Sequence, residues 1–271
     1  MRGEKEMSKR VAIGLAAVVA LAAAIPAASL AADVTVGADV VSAYVWRGLT
    51  FNDGLVVQPS IDVAHPSGLG FNVWGNFDIS DYDGAVEERE FSEVDLTVSY
   101  ALPLEGPVSV TVGIVEYLFP KEGNYTPELP EGHAEVEAKK DTDTREVFVN
   151  LGFEPVDGLA LGLNAYYDVD EVDGLYGDVS IAYGYSVTEQ LSLEASAKIG
   201  AADKKFAEYY AGGTKGGLFD WGAQLSATYA ACESTEIGAF VAYASNVNKD
   251  AFPSEAKDKD VFGGVSLAYS F

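Results

Sequence analysis

The most restrictive feature of this chain is an alternation of apolar and polar residues that recurs about a dozen times. It closes the chain at Val261, Val265, Leu267, Tyr269 and Phe271. Neighbouring side chains of a strand point to opposite faces, so each segment has one apolar and one polar side. Segments of roughly ten residues with this pattern fit an antiparallel transmembrane β-barrel. Closure pairs the backbone groups without leaving a sheet edge in lipid. A secreted soluble barrel or sandwich is the other fold that alternation alone allows, with the apolar face as its core.

The periodicity predicts an all-β, up-and-down barrel of about twelve strands. They lie near residues 33–47, 55–64, 69–79, 92–102, 108–118, 145–153, 159–169, 175–187, 191–199, 218–231, 235–245 and 261–271. The connections alternate in length. Short ones follow strands two, four, six, eight and ten (for example His65-Pro66-Ser67-Gly68 and Cys232-Glu233-Ser234). Long ones follow strands three, five, nine and eleven, the longest running from Phe119 to Thr144. Barrels of the bacterial outer membrane have short periplasmic turns and longer outer loops. An even strand count places both termini on the short-turn, periplasmic side.

Aromatic placement favours the membrane reading. Tyr44, Trp46, Phe77, Tyr167, Trp221 and Tyr243 fall near the long-loop rim by strand position. Phe71, Tyr100, Tyr183, Tyr185, Tyr229, Tyr269 and Phe271 fall near the short-turn rim. Two bands of amphipathic rings match the two bilayer interfaces. The Tyr269–Phe271 ending resembles the insertion signal read by the barrel-assembly machinery.

Lys9 and Arg10 precede an apolar stretch from Val11 to Ile25, and Ser29-Leu30-Ala31 fits a signal-peptidase site. Residues 1–31 therefore read as a cleaved secretory signal and 32–271 as a single barrel domain. No later stretch reaches the roughly 18–20 apolar residues of a membrane helix. The formal charge is −25, and loss of the basic leader takes it to about −27. That excess argues against nucleic acid as a partner, because phosphates attract Lys and Arg. The expected partners are outer-membrane lipid, lipopolysaccharide and small solutes. Cys232 is the only cysteine, so no internal disulfide can form.

On the polar faces the alternation assigns Asp39, Asp62, Asp78, Glu93, Asp95, Glu146, Asp168, Asp178, Glu194 and Glu236 inward, with Lys198 as the clearest basic residue. Fixed carboxylates in a low-dielectric wall concentrate cations, which predicts a cation-preferring pore. The same residues could merely keep a narrow lumen hydrated. The acidic loop from Phe119 to Thr144 could fold inward or remain outside. Asp168, Asp170, Asp173 and Gly174 lack the spacing of a calcium loop, with Val179 where a bidentate Glu would stand. No dedicated metal site, cofactor or catalytic residue is expected. His65 and His133 are the only histidines, and neither stands in a motif that joins a base to a nucleophile.

One segment carries a resemblance. Ala43-Tyr44-Val45-Trp46-Arg47-Gly48-Leu49-Thr50-Phe51-Asn52-Asp53-Gly54, then Gln58-Pro59 and Phe71-Asn72-Val73-Trp74-Gly75-Asn76, resembles the TorF-like family of porin-like outer-membrane proteins. Tyr44, Trp46, Arg47, Gly48, Asp53 and Gly54 carry the match. The resemblance implies a porin-like role without catalytic residues. Physically, Gly48 and Gly54 suit a tight first loop, and Trp46 is expected to anchor the outer interface. Arg47 is expected near Asp39 and Asp53, either clamping the loop to the wall or setting selectivity. A blocked barrel whose acidic loops bridge lipopolysaccharide through divalent ions is the alternative to a channel.

Overall fold

The computed structural model describes residues 32–82, 88–120, 143–253 and 260–271. The proposed leader, most of the long acidic loop and His133 lie outside the described residues.

Twelve antiparallel strands close into a barrel. In chain order they are β1 (Asp33–Val41), β4 (Val56–Ala64), β5 (Leu69–Asp78), β6 (Glu90–Ala101), β7 (Val108–Leu118), β8 (Thr144–Val156) and β9 (Leu159–Asp168). They continue as β10 (Leu175–Ser186), β11 (Leu191–Ala202), β12 (Gly217–Cys232), β13 (Thr235–Asn246) and β14 (Val261–Ser270). Two further strands, β2 (Tyr44–Trp46) and β3 (Leu49–Asn52), form a separate hairpin between β1 and β4. A helix, α1 (Lys204–Ala211), follows β11.

Neighbouring strands pair in order, and β1 closes the ring between β4 and β14. Thr35 faces Ser270 on one side and Asp62 on the other, so both chain ends lie at the short-turn end. The apolar faces point away from the lumen. Leu163, Val179, Leu225, Val241 and Val265 are all exposed, with Leu225 at 60 %. A soluble protein rarely leaves so continuous an apolar surface uncovered, whereas lipid is its natural solvent. Trp221 packs on Tyr243 toward the long-loop end (5.1 Å between centroids), and Tyr269 on Phe271 at the short-turn end (4.9 Å).

Two expectations need correction. The first predicted strand, 33–47, is really β1 plus half of the inner hairpin. The chain leaves the wall at Ser42, whose backbone N–H donates to Gly263 O (2.9 Å). The long connection after β11, in a chain expected to be all-β, also carries a helix. Asp203 caps α1 by accepting the Phe206 N–H (2.8 Å), and Gly212, at φ 67°, ends it.

Candidate functional site: a hairpin lodged in the long-loop mouth

The β2–β3 hairpin turns on Arg47 and Gly48, which have φ values of 48° and 80°. Two consecutive positive φ angles make the primed turn whose twist suits a two-residue hairpin. Glycine accepts this backbone freely, while for arginine it is strained by roughly 1–3 kcal/mol. Close packing reinforces the need for glycine. A Cβ on Gly48 would lie 2.8 Å from Asp220 Cβ and 3.0 Å from the Phe252 ring.

Side chains from widely spaced strands hold the hairpin inside the barrel. Arg47 Nη1 and Nη2 donate to Glu146 Oε1 and Oε2 on β8, each at 2.7 Å. The Tyr117 hydroxyl donates to the same carboxylate (2.8 Å). Tyr44 donates to Glu93 on β6 (2.8 Å), and Asn52 donates to Asp78 on β5 (2.7 Å). Glu146, Asn52 and Asp78 are fully buried. A planar guanidinium and a carboxylate joined by two parallel bonds are fixed in orientation as well as distance.

Aromatic rings surround the Arg47 guanidinium. Its Cζ lies 4.2 Å from the Trp46 ring centre, 4.5 Å from that of Tyr166 and 4.4 Å from that of Tyr176. Such contacts strengthen when desolvated. Around them lies an apolar core in which Leu49, Tyr176, Phe206, Phe219 and Phe252 are each at most 2 % exposed. The helix thus joins the hairpin in filling the mouth, with Trp46 on Tyr210 at 5.1 Å. A smaller cluster of Val41, Tyr44 and Val56 seats the hairpin stem against the wall near Trp74.

Trp46 consequently does not anchor the outer interface, as the alternation suggested. It packs inside, because the chain has already left the wall at Ser42. Tyr44 is likewise buried rather than on the rim. Arg47 pairs with Glu146 of the wall, and not with Asp39 or Asp53. Asp53 is exposed, and Gly54 donates its N–H to Asn52 Oδ1 (2.8 Å).

The eleven residues assigned inward by alternation divide by depth. Asp78, Glu93, Glu146, Asp168 and Asp178 are buried. Asp168 accepts from Thr144 Oγ1 (2.7 Å) and from two loop N–H groups, so its carboxylate orders its own loop. Asp178 accepts from Asn164 (2.9 Å). Asp39, Asp95 and Lys198 are half-buried, while Asp62, Glu194 and Glu236 are exposed toward the short-turn end. Lys198 bridges to Asp220 Oδ2 (3.1 Å). Among the described residues no group of three His, Cys, Asp or Glu could hold a metal ion.

Sequence reasoning missed Asp220, Phe206, Tyr210, Phe219 and Phe252 as parts of this arrangement. The helical residues had a visible signal: Asp203 three residues before Phe206, buried Phe206, Ala207 and Ala211 at helical spacing, then Gly212-Gly213.

The fold is similar to that of solved porins. A KdgM porin matches with a TM-score of 0.54 and 10% identity, over 88% of this chain and 99% of that one. A NanC porin matches with a TM-score of 0.52 and 10% identity, over 87% of this chain and 98% of that one. At such identity the likeness establishes the porin-like channel fold. No curated protein matches the chain. Residues 26–252 match the model of a family described as bacterial protein of unknown function (Gcw_chp), and the chain belongs to that family.

Proposed function

We propose that the protein is an outer-membrane channel for passive diffusion of small solutes, preferring cations, with its long-loop mouth narrowed by the inner hairpin. The observation that carries this reading is a closed barrel with a polar inner face and an apolar outer one. The carboxylates available to solutes would be Asp39, Asp62, Glu194 and Glu236, since those nearer the mouth are taken up by the hairpin and loops. Exposed carboxylates of one sign raise the local concentration of cations. The termini and short turns would face the periplasm, with the hairpin at the outer surface. The TorF-like resemblance and the porin-like fold point the same way.

A second reading is favoured by one observation, the fully buried aromatic core in the mouth. A barrel sealed there would act through its loops, as a structural or adhesive protein contacting lipopolysaccharide. Planar-bilayer recording of the refolded mature chain across a potassium chloride gradient separates the two. Steady channels with a cation-selective reversal potential are expected. An inserted but silent barrel would sink the channel and support the second reading.

A further inference from the structure

Beneath the Arg47–Gly48 turn the lumen is not filled. A cavity of about 250 Å³ lies between the hairpin and the β10–β14 wall, lined by Arg47, Ser180, Ser196, Lys198, Gln224 and Phe262 among others. Water occupies about 30 Å³ per molecule in the liquid. The space therefore admits several waters or one compact solute.

Register explains why the cavity is on this side. One rung across the wall runs Ser180, Lys198, Gly222 and Ala244, and the next runs Ser196, Gln224, Ala242 and Phe262. Apart from Lys198, Gln224 and Phe262, these are small side chains. Other inward positions, on β5, β7, β8 and β9, carry Trp74, Tyr117, Phe148 and Tyr166. The hairpin meets bulk there and leaves room over the small residues.

The polar groups of the cavity retain hydrogen-bonding capacity. An ammonium has three N–H donors. Lys198 directs one to the Tyr176 hydroxyl (3.3 Å) and forms an ion pair with Asp220 Oδ2 (3.1 Å), and its side chain is 37 % exposed. Donor capacity is left for the cavity. Ser180, Ser196 and Gln224 make no side-chain hydrogen bond among the described residues. Phe262 supplies an apolar surface beside them. A mostly apolar pocket with a few convergent polar groups is the usual form of a small-molecule site.

Charge selects the class of ligand. Arg47 is matched by Glu146 and Lys198 by Asp220, and both carboxylates are fully buried. The two cations beside the cavity are therefore compensated, so an anion meets no net positive charge and a cation no free carboxylate. We propose that the cavity is a binding site for an uncharged, hydroxyl-bearing solute of roughly monosaccharide size. The proposal rests on the channel reading and names a solute class for it. Lys198, Ser180, Ser196 and Gln224 bond the hydroxyl groups, and Phe262 covers an apolar face of the solute.

Glucose is the probe, and gluconate is its anionic counterpart. Saturation-transfer NMR on the refolded mature chain in detergent micelles reads binding, and heat-modifiable gel mobility reads folding. Saturable glucose binding is expected, weakened at least tenfold by Ser196→Phe, which fills the cavity, and no weaker than gluconate binding. Ala242→Leu fills the same space from β13 and serves if Ser196→Phe fails to fold. No saturable glucose signal, an unchanged signal in both folded variants, or tighter binding of gluconate would overturn the proposal. Conductance of the same preparation is recorded separately. Channels without glucose binding remove the site and leave the channel standing; glucose binding in a silent barrel does the reverse.

Discussion

At the long-loop mouth Asp78, Glu93, Glu146 and Asp220 are buried, and each carboxylate is held by a named donor: Asn52, Tyr44, Arg47 and Tyr176. Toward the short turns Asp62, Glu194 and Glu236 are exposed, and only Asp62 has a side-chain partner among the described residues, Asn72 at 2.7 Å. Residue type and inward direction are the same at both ends, yet the chemistry differs. A buried carboxylate must be paired, because desolvation penalises its charge. An exposed one stays hydrated and contributes a field. The upper carboxylates therefore act on the fold, and the lower ones are left to act on whatever enters the lumen.

The largest test of this contrast removes the Arg47 clamp. Arg47→Ala leaves Glu146 buried without its cation. Breaking a buried pair from one side costs about 3–5 kcal/mol. A urea titration of the refolded barrel should show that loss, and single-channel conductance should rise as the hairpin is released. Replacing both partners, Arg47→Met with Glu146→Leu, should recover much of the stability, because no isolated charge remains. If Arg47→Ala unfolds at the parent's urea midpoint, the clamp does not hold the mouth.

Gly48→Ala tests the turn rather than the charge. The left-handed backbone alone costs alanine about 1–2 kcal/mol. The close approach to Asp220 and Phe252 adds to it. The variant should fall between the parent and Arg47→Ala in urea midpoint and in conductance. An alanine tolerated without change would show that the turn sits looser in the mouth than its contacts require.

These two residues show how far the sequence was legible. The barrel was readable because the wall strands largely keep a period of two, broken locally where Phe219 and Asp220 of β12 are both buried, and lipid on one side and lumen on the other enforce it. The hairpin was misread because Tyr44 and Trp46 continue the alternation of β1 without a break. Neither Gly nor Pro marks the departure at Ser42. The Arg47-Gly48 pair between two short apolar runs was the available hint of a two-residue turn. Its partner could not be found that way, since Glu146 lies 99 positions along the chain and only barrel closure brings it near. The same holds for Phe219 and Phe252, whose rings stack at 4.6 Å from separate segments.

A smaller effect is expected where the helix meets the loop after β9. Asp173 accepts from Lys205 and from the Tyr167 hydroxyl, and these bonds hold its carboxyl below the ordinary value of 3.8. A depressed value means that the ionised form is the one bound in the folded state. Its contribution is then complete above about pH 4 and is lost as pH falls through the lowered value. The group is exposed, so the effect is local. Hydrogen exchange of α1 should be faster in Asp173→Asn than in the parent at neutral pH, and the two should converge as the parent's carboxyl is protonated. Equal protection at neutral pH would mean that the buried face of Phe206 holds the helix unaided.

The least disruptive test bears on the other half of the lumen. Asp62→Asn, Glu194→Gln and Glu236→Gln together remove three exposed carboxylates. Surface substitutions away from packed features usually change stability by no more than about 0.5 kcal/mol. The urea midpoint should therefore stay within error of the parent, in contrast to Arg47→Ala. Selectivity should move instead. With the wall field reduced, the reversal potential in a potassium chloride gradient should shift toward zero, most clearly at low salt, where screening is weakest. The opposite result is equally informative. If the triple variant keeps its reversal potential while Asp39→Asn changes it, the filter lies on β1 beneath the hairpin. If neither changes it, the lumen carboxylates serve hydration alone, and selectivity belongs to the mouth.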